Sequence, residues 1–148
     1  MQVLASSNCT PVYLMAGNEC TSKDALRQFA KDTYIRIRVR VAENRSTPVA
    51  VLVQLALDSE PDVRIAVAEN GSAPRCLKQF LVHDDCADVR YAIAENPHTE
   101  TEFLQALLRD DNPYVASRAK RTLDSMSTDR APVLSVTNLR KIFAERKA

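Results

Sequence analysis

Sliding the chain along itself by 26 residues brings Asp32, Asp58, Asp84 and Asp110 into one column. Arg38, Arg64 and Arg90 form a second column, Glu43, Glu69 and Glu95 a third, and Asn44, Asn70 and Asn96 a fourth that Asn18 extends backwards. Agreement in that many columns at one offset is an internal repeat. No other property of the chain restricts its fold as much: a single unit of this length cannot bury an apolar face alone, so its copies must stack. The best-preserved copy runs from Asp58 to His83, DSEPDVRIAVAENGSAPRCLKQFLVH.

Each copy holds two helical segments. In the middle copy Pro61 suits the first helical position, where its missing N–H costs nothing, and Asp62 places a favourable charge in the first turn. Val63, Ala66 and Val67 share a face at i, i+3, i+4 spacing, matched by Val89, Ala92 and Ile93 and by Ile37, Arg40 and Val41. Arg40 interrupts that series at its small position, which predicts a tilted helix or an exposed edge. The first helix is expected to stop at Glu-Asn, with asparagine taking the left-handed geometry of a helix C-terminus. Thr47 and Thr99 are N-cap candidates for the second helix. That helix should bury Val51, Leu52, Leu55 and Ala56 in one copy, Leu77, Phe80 and Leu81 in the next, and Phe103, Leu104, Leu107 and Leu108 in the last, with Ala25, Leu26 and Phe29 supplying the same places in the first. Helices this short are marginal alone, so stacking must hold them.

Residues 1–12 read as a loose arm, and Val12 to Gly17 as a truncated copy that caps the stack. A degenerate last copy runs from Asp111 to Asp124, where Arg121-Thr122 replaces the Glu-Asn stop. Residues 1–124 are thus expected to form the repeat domain, and residues 125–148 a linker (Ser125 to Pro132) and an amphipathic helix. In that helix, within Val136 to Lys147, Leu139, Ile142 and Phe143 lie together with Arg140, Lys141, Arg146 and Lys147 around them. It either folds back over the open end of the stack or docks on another molecule. Scarce aromatics (5%, no Trp) and only two glycines favour an all-α reading with small side chains at helix contacts.

The run DVR-x-A-V/I-A-E-N, then a turn with Thr or Pro, then a Leu-rich helix ending in Asp, resembles the leucine-rich repeat variant family, a helical repeat related in layout to HEAT-type units. The resemblance is carried by PDVRIAVAEN (Pro61 to Asn70) and ADVRYAIAENPHT (Ala87 to Thr99), more weakly by IRIRVRVAENRSTP (Ile35 to Pro48), and covers roughly Val12 to Leu123. It implies an all-α, right-handed α-α superhelix (solenoid) of about four 26-residue two-helix repeats. Some family members carry an N-terminal cysteine cluster that binds an iron–sulfur centre. This chain does not reproduce it: Cys9 and Cys20 have ten residues between them, and Cys76 and Cys86 stand apart.

No chemistry is spelled out by the remaining polar residues. His83 and His98 fall in turns 15 residues apart, and no Ser or Cys motif marks a nucleophile with its base. We therefore expect no enzyme, no catalytic residue, no cofactor and no metal; cluster or redox sensing by the cysteines is the least favoured reading. Lacking a basic leader or an apolar span, the chain is expected to be cytoplasmic, with reduced thiols.

The arginine column is the strongest polar signal. Arg38, Arg64 and Arg90 should line one side of the stack, near the aspartates of the preceding turns, Asp32, Asp58 and Asp84. Two readings stand: a lattice in which each guanidinium bridges a carboxylate or helix-end carbonyls, or a free basic stripe, reinforced at one end by Arg36, Arg40 and Arg45, that follows phosphates. Net charge is +1, but residues 50–112 hold five basic and twelve acidic side chains while both flanks are basic. The leading functional expectation is a protein-binding scaffold that grips a protein segment in a concave surface, with nucleic-acid binding as the alternative. Self-association through the C-terminal helix or the solenoid ends is also open.

Overall fold

The computed structural model describes residues 9–128. These form nine helices and no strand: α1 (Cys9–Ala16), α2 (Lys23–Phe29), α3 (Ile35–Glu43), α4 (Val49–Leu55), α5 (Pro61–Glu69), α6 (Arg75–Leu81), α7 (Ala87–Glu95), α8 (Thr101–Leu107) and α9 (Pro113–Thr128). Odd-numbered helices pack in a row, α1 on α3, α3 on α5, α5 on α7 and α7 on α9; α2, α4 and α8 lean on the odd-numbered helices on both sides, and α6 on α5. Among the described residues no helix is long and apolar enough to cross a membrane.

The apolar spacing produces the core it predicts. Ile37, Val41, Val63, Val67, Val89 and Ile93 are buried on the odd helices, and Leu26, Leu52, Leu55, Leu77, Leu81, Leu104 and Leu107 on the even ones. A column that the spacing argument passes over, Ala16, Ala42, Ala68 and Ala94, is equally buried. Its small side chains let consecutive odd helices approach closely, since a larger residue there would prop them apart.

Three local expectations are corrected. Asn44, Asn70 and Asn96 end their helices in extended geometry, with φ near −70° and ψ near 120°, and no described residue is left-handed. Thr47 and Thr99 do not cap: their hydroxyls donate backwards to the carbonyls of Val41 and Ile93, while the N-cap positions belong to Pro48, Pro74 and Glu100. Phe80 and Leu108 are exposed at 53% and 40%, and Val82 is buried instead. Phe80 stands in the column of Gln28, Gln54 and Ala106, which is exposed in every copy, whereas Val82 stands in the buried column of Ala30 and Ala56.

The ends also differ from expectation. Helix α1 begins at Cys9, so residues 9–12 are helical and not a loose arm. Helix α9 runs 16 residues through Ser125 to Thr128, which the composition assigns to a linker. Without Glu-Asn nothing stops it, and Leu123 and Met126 continue to pack on the core. The amphipathic segment within residues 133–148 lies outside the described residues.

Candidate functional site

Each arginine of the column closes a rung. Arg38 donates through Nε and Nη2 to the Asp58 carboxylate at 2.7 and 3.0 Å, Arg64 to Asp84 at 2.8 and 2.9 Å, and Arg90 to Asp110 at 2.7 and 2.9 Å. The remaining nitrogen, Nη1, donates to the backbone carbonyls of Asp32, Asp58 and Asp84 respectively. So the carboxylate partner comes from the following turn, not the preceding one; the preceding aspartate supplies its carbonyl. This is the planar-fork geometry that lysine cannot copy.

The same aspartates also set the start of the next odd helix. Asp32, Asp58, Asp84 and Asp110 each accept the N–H two residues on, from Tyr34, Glu60, Cys86 and Asn112. Burial pushes the carboxyls of Asp58 and Asp84 up, but the arginine bonds and the backbone N–H outweigh it and hold both below the usual carboxylate range. At Asp110 the Arg90 bond is the dominant influence and lowers the carboxyl against a smaller burial effect. Side chains of Arg38, Arg64 and Arg90 are only 13–16% exposed. An open cleft of about 530 Å³ beside the last rung is walled by these same charges, Asp84, Arg90 and Asp110 among them.

The asparagine column forms a second ladder. Asn44 Nδ2 donates to the carbonyls of Ala16 and Asn18, and Asn70 Nδ2 to those of Ala42 and Asn44. Their Oδ1 atoms accept the N–H groups of Ser46 and Ser72, and Asn96 Oδ1 accepts that of His98. The Asn44 and Asn70 amides thus reach back one period to satisfy the orphan carbonyls at a helix end. Thr122 stands in the same column and donates its hydroxyl to the Ala94 carbonyl, so the ladder continues where Glu-Asn is lost.

Arg36 and Arg40 lie elsewhere. Their guanidiniums sit 5.4 and 5.3 Å from the Tyr13 ring centroid, and Arg40 Nη1 pairs with Glu43 at 2.8 Å. Gly17 makes room for this: a Cβ there would meet Arg40 Nε at 2.3 Å. The sequence places Arg36, Arg38 and Arg40 together, but the structure sends Arg38 into the rung lattice, Arg36 onto the solvent side of the odd helices, and Arg40 against Gly17 and Tyr13, where its Nε is buried without a hydrogen-bond partner.

That solvent side carries a surface the repeat columns alone did not single out. One row is apolar: Val39 and Ile65, half-buried, and Tyr91, 36% exposed, continuing from Tyr13. On either side of Ile65 and Tyr91 stand carboxylates, Asp62 and Asp88 in one row, Glu69 and Glu95 in the other. Glu43 and Glu95 have partners in Arg40 and Arg118, whereas Asp62, Asp88 and Glu69 pair with no cation among the described residues. Burial pushes the Glu69 carboxyl up, and the neighbouring Glu43 and Glu95 charges push it the same way. The signal was available: residues 39, 65 and 91 are apolar at one period beside the core stripe, Val39 and Ile65 leaning on the core with one side and open to solvent on the other.

Cys20 and Cys76 are exposed free thiols and Cys86 is half-buried at the start of α7. Among the described residues no cluster of His, Cys, Asp or Glu has the spacing to hold a metal ion. No family model matches the chain, and no curated protein or solved structure is found to be similar to it.

Proposed function

We propose that the chain is a non-enzymatic protein-binding module: a right-handed solenoid of about four two-helix repeats, like the leucine-rich repeat variant proteins it resembles, whose odd-helix face grips a cationic, partly apolar protein segment. The observation that carries this reading is the unpartnered face of α5 and α7, with Ile65 and Tyr91 between Asp62 and Asp88 on one side and Glu69 and Glu95 on the other. Apolar contact supplies affinity and a carboxylate rim selects charge, the division of labour expected of an interaction surface. The nucleic-acid reading has less support, because Arg38, Arg64 and Arg90 spend their donors on aspartates and carbonyls.

Fluorescence polarisation tests the reading on the chain carrying Ile142→Asp and Phe143→Asp, which takes its own cationic C-terminal segment out of competition, with two labelled 16-residue amphipathic peptides of equal apolar content, one lysine-rich and one glutamate-rich. The cationic peptide binds with a Kd on the order of 10 µM, and raising the salt from about 0.05 to 0.5 M weakens it at least fivefold, as screening of exposed charges requires. Equal affinity for both peptides, or binding unchanged by Tyr91→Lys, rejects the face as the binding surface.

A further inference from the structure

We infer that the occupant of this face is the chain's own segment 136–147, docked in cis across α5 and α7. The inference rests on the functional reading above and adds the identity of the ligand. Residues 136–147, VTNLRKIFAERK, set Leu139, Ile142 and Phe143 among Arg140, Lys141, Arg146 and Lys147, with Glu145 as the one acid. The face offers the complement: an apolar row between carboxylates, three of which have no cation. At Glu69, where burial and two neighbouring glutamates disfavour the charged form, an arriving guanidinium or ammonium relieves the repulsion.

Charge also selects this face over the other exposed apolar patch. On the even helices and the turns after them, Val49, Val53, Leu57 and Phe80 are exposed, but the carboxylates on those helices, Asp24 and Glu102, are already paired with Arg27 and Arg75, and Lys31 and Lys78 add unpaired positive charge. A cationic segment is repelled there and attracted to α5 and α7.

The connection is long enough. Arg121 stands one period after Glu95, the last residue of α7, so α9 overshoots the glutamate row by seven residues, roughly 10 Å. Residues 129–135 span up to about 25 Å when extended. Packed helices lie roughly 8–10 Å apart, so α7 and α5 are one and two steps from α9, within that reach. A tether of this length gives an effective concentration on the order of millimolar. A segment with an intrinsic Kd near 10 µM is then bound about 99% of the time, and a free copy competes at roughly hundredfold lower apparent affinity.

The probe is a labelled synthetic peptide of residues 133–148, followed by fluorescence polarisation against three full-length chains whose folding is checked by circular dichroism. These are the unaltered chain, a tail variant with Ile142→Asp and Phe143→Asp, and that tail variant further carrying Glu69→Lys and Asp88→Lys. The peptide is expected to bind the tail variant with micromolar Kd, the unaltered chain at least tenfold more weakly, and the face variant not at all. Equal binding to the unaltered chain and the tail variant overturns the inference while leaving the face as a receptor for cationic segments. So does failure of this peptide where another lysine-rich amphipathic peptide binds. If no cationic peptide binds the tail variant, inference and functional reading fall together. Carbodiimide cross-linking of the unaltered chain gives an independent reading that needs no variant. Lys141 or Lys147 is expected to link to Asp62, Glu69, Asp88 or Glu95 within the monomer; links found only in a dimer fraction, or none, overturn docking in cis.

Discussion

The side-chain amide of Asn70 is 4% exposed and spends every polar atom on the backbone, donating to the Ala42 and Asn44 carbonyls and accepting from the Ser72 N–H. Alanine leaves the Ala42 carbonyl and the Ser72 N–H without partners and the Asn44 carbonyl with the Thr47 N–H alone, which costs about 2 kcal/mol in urea unfolding. Aspartate is no rescue, since a carboxylate facing two carbonyls repels them. Asn18 occupies the same column but is exposed and accepts only from the Cys20 N–H, so Asn18→Ala changes stability by less than about 0.5 kcal/mol. A flat response along the column contradicts the ladder. The arginine rungs make a pH prediction. Asp58, Asp84 and Asp110 are held below their ordinary value of 3.8, so the folded state binds fewer protons than the unfolded chain in acid. Their contribution is whole above that ordinary value and is lost as pH falls through the depressed folded values. The urea midpoint should therefore drop on going from about pH 5 to pH 2, and Arg64→Met, which removes the cause of the depression at Asp84, should make the drop shallower. An unchanged acid slope in that variant argues against the rung as the source.

At the scale of elements, helix ends are where sequence and structure part. The apolar spacing placed the helices and their inward faces, because burial of a 3.6-residue stripe is a strong local signal: Val63 and Val67 on α5 and Leu52 and Leu55 on α4 are all buried. It did not place the roles of Asn70 or Thr47, whose partners lie 26 and 28 residues away in one case and back across a turn in the other. Local capping rules assign such residues to the nearest helix terminus and miss a bond made across the period. Similarly, the arginine and aspartate columns were legible as a lattice, but which turn supplied the carboxylate required the packing of one odd helix on the next. The face of Ile65 and Tyr91 stayed unread although residues 39, 65 and 91 repeat as apolar at one period, because a single apolar position beside the core stripe reads as the edge of that stripe. The contact between α1 and α3 can be tested through its glycine. Gly17→Ala drives a Cβ into Arg40 and dislodges its contact with Tyr13, and its backbone is not left-handed, so the loss is about 1 kcal/mol. In an Arg40→Ala background the same change costs nothing, a coupling that a double-mutant cycle measures directly. Gly71→Ala meets no atom within 4 Å and should be neutral or stabilise by a few tenths of a kcal/mol.

For the whole described molecule, the packing pattern dictates how stability is distributed. Odd helices are held from both sides along their row, by apolar contact and by both ladders, whereas seven-residue even helices lean on odd ones and lack side-chain N-cap bonds at α4, α6 and α8. In a molecule where each unit meets only its neighbours, opening free energy is a sum of local interface terms, so it is largest in the middle of the row and declines towards the open end. Native-state amide exchange should then show α5 and α7 as the slowest, α3 faster, and α1 and α2 the fastest, with each even helix exchanging ahead of the odd helix before it. The tail variant Ile142→Asp with Phe143→Asp adds a further reading. If segment 136–147 covers α5 and α7, its removal lowers protection in those two helices selectively and leaves α1 to α3 as they were. Uniform exchange across all helices requires one indivisible cooperative unit, which contradicts a nearest-neighbour row. A loss of protection confined to α9 places the segment at the end of the row, where the unpaired carboxylates of Asp62, Asp88 and Glu69 have no part in holding it.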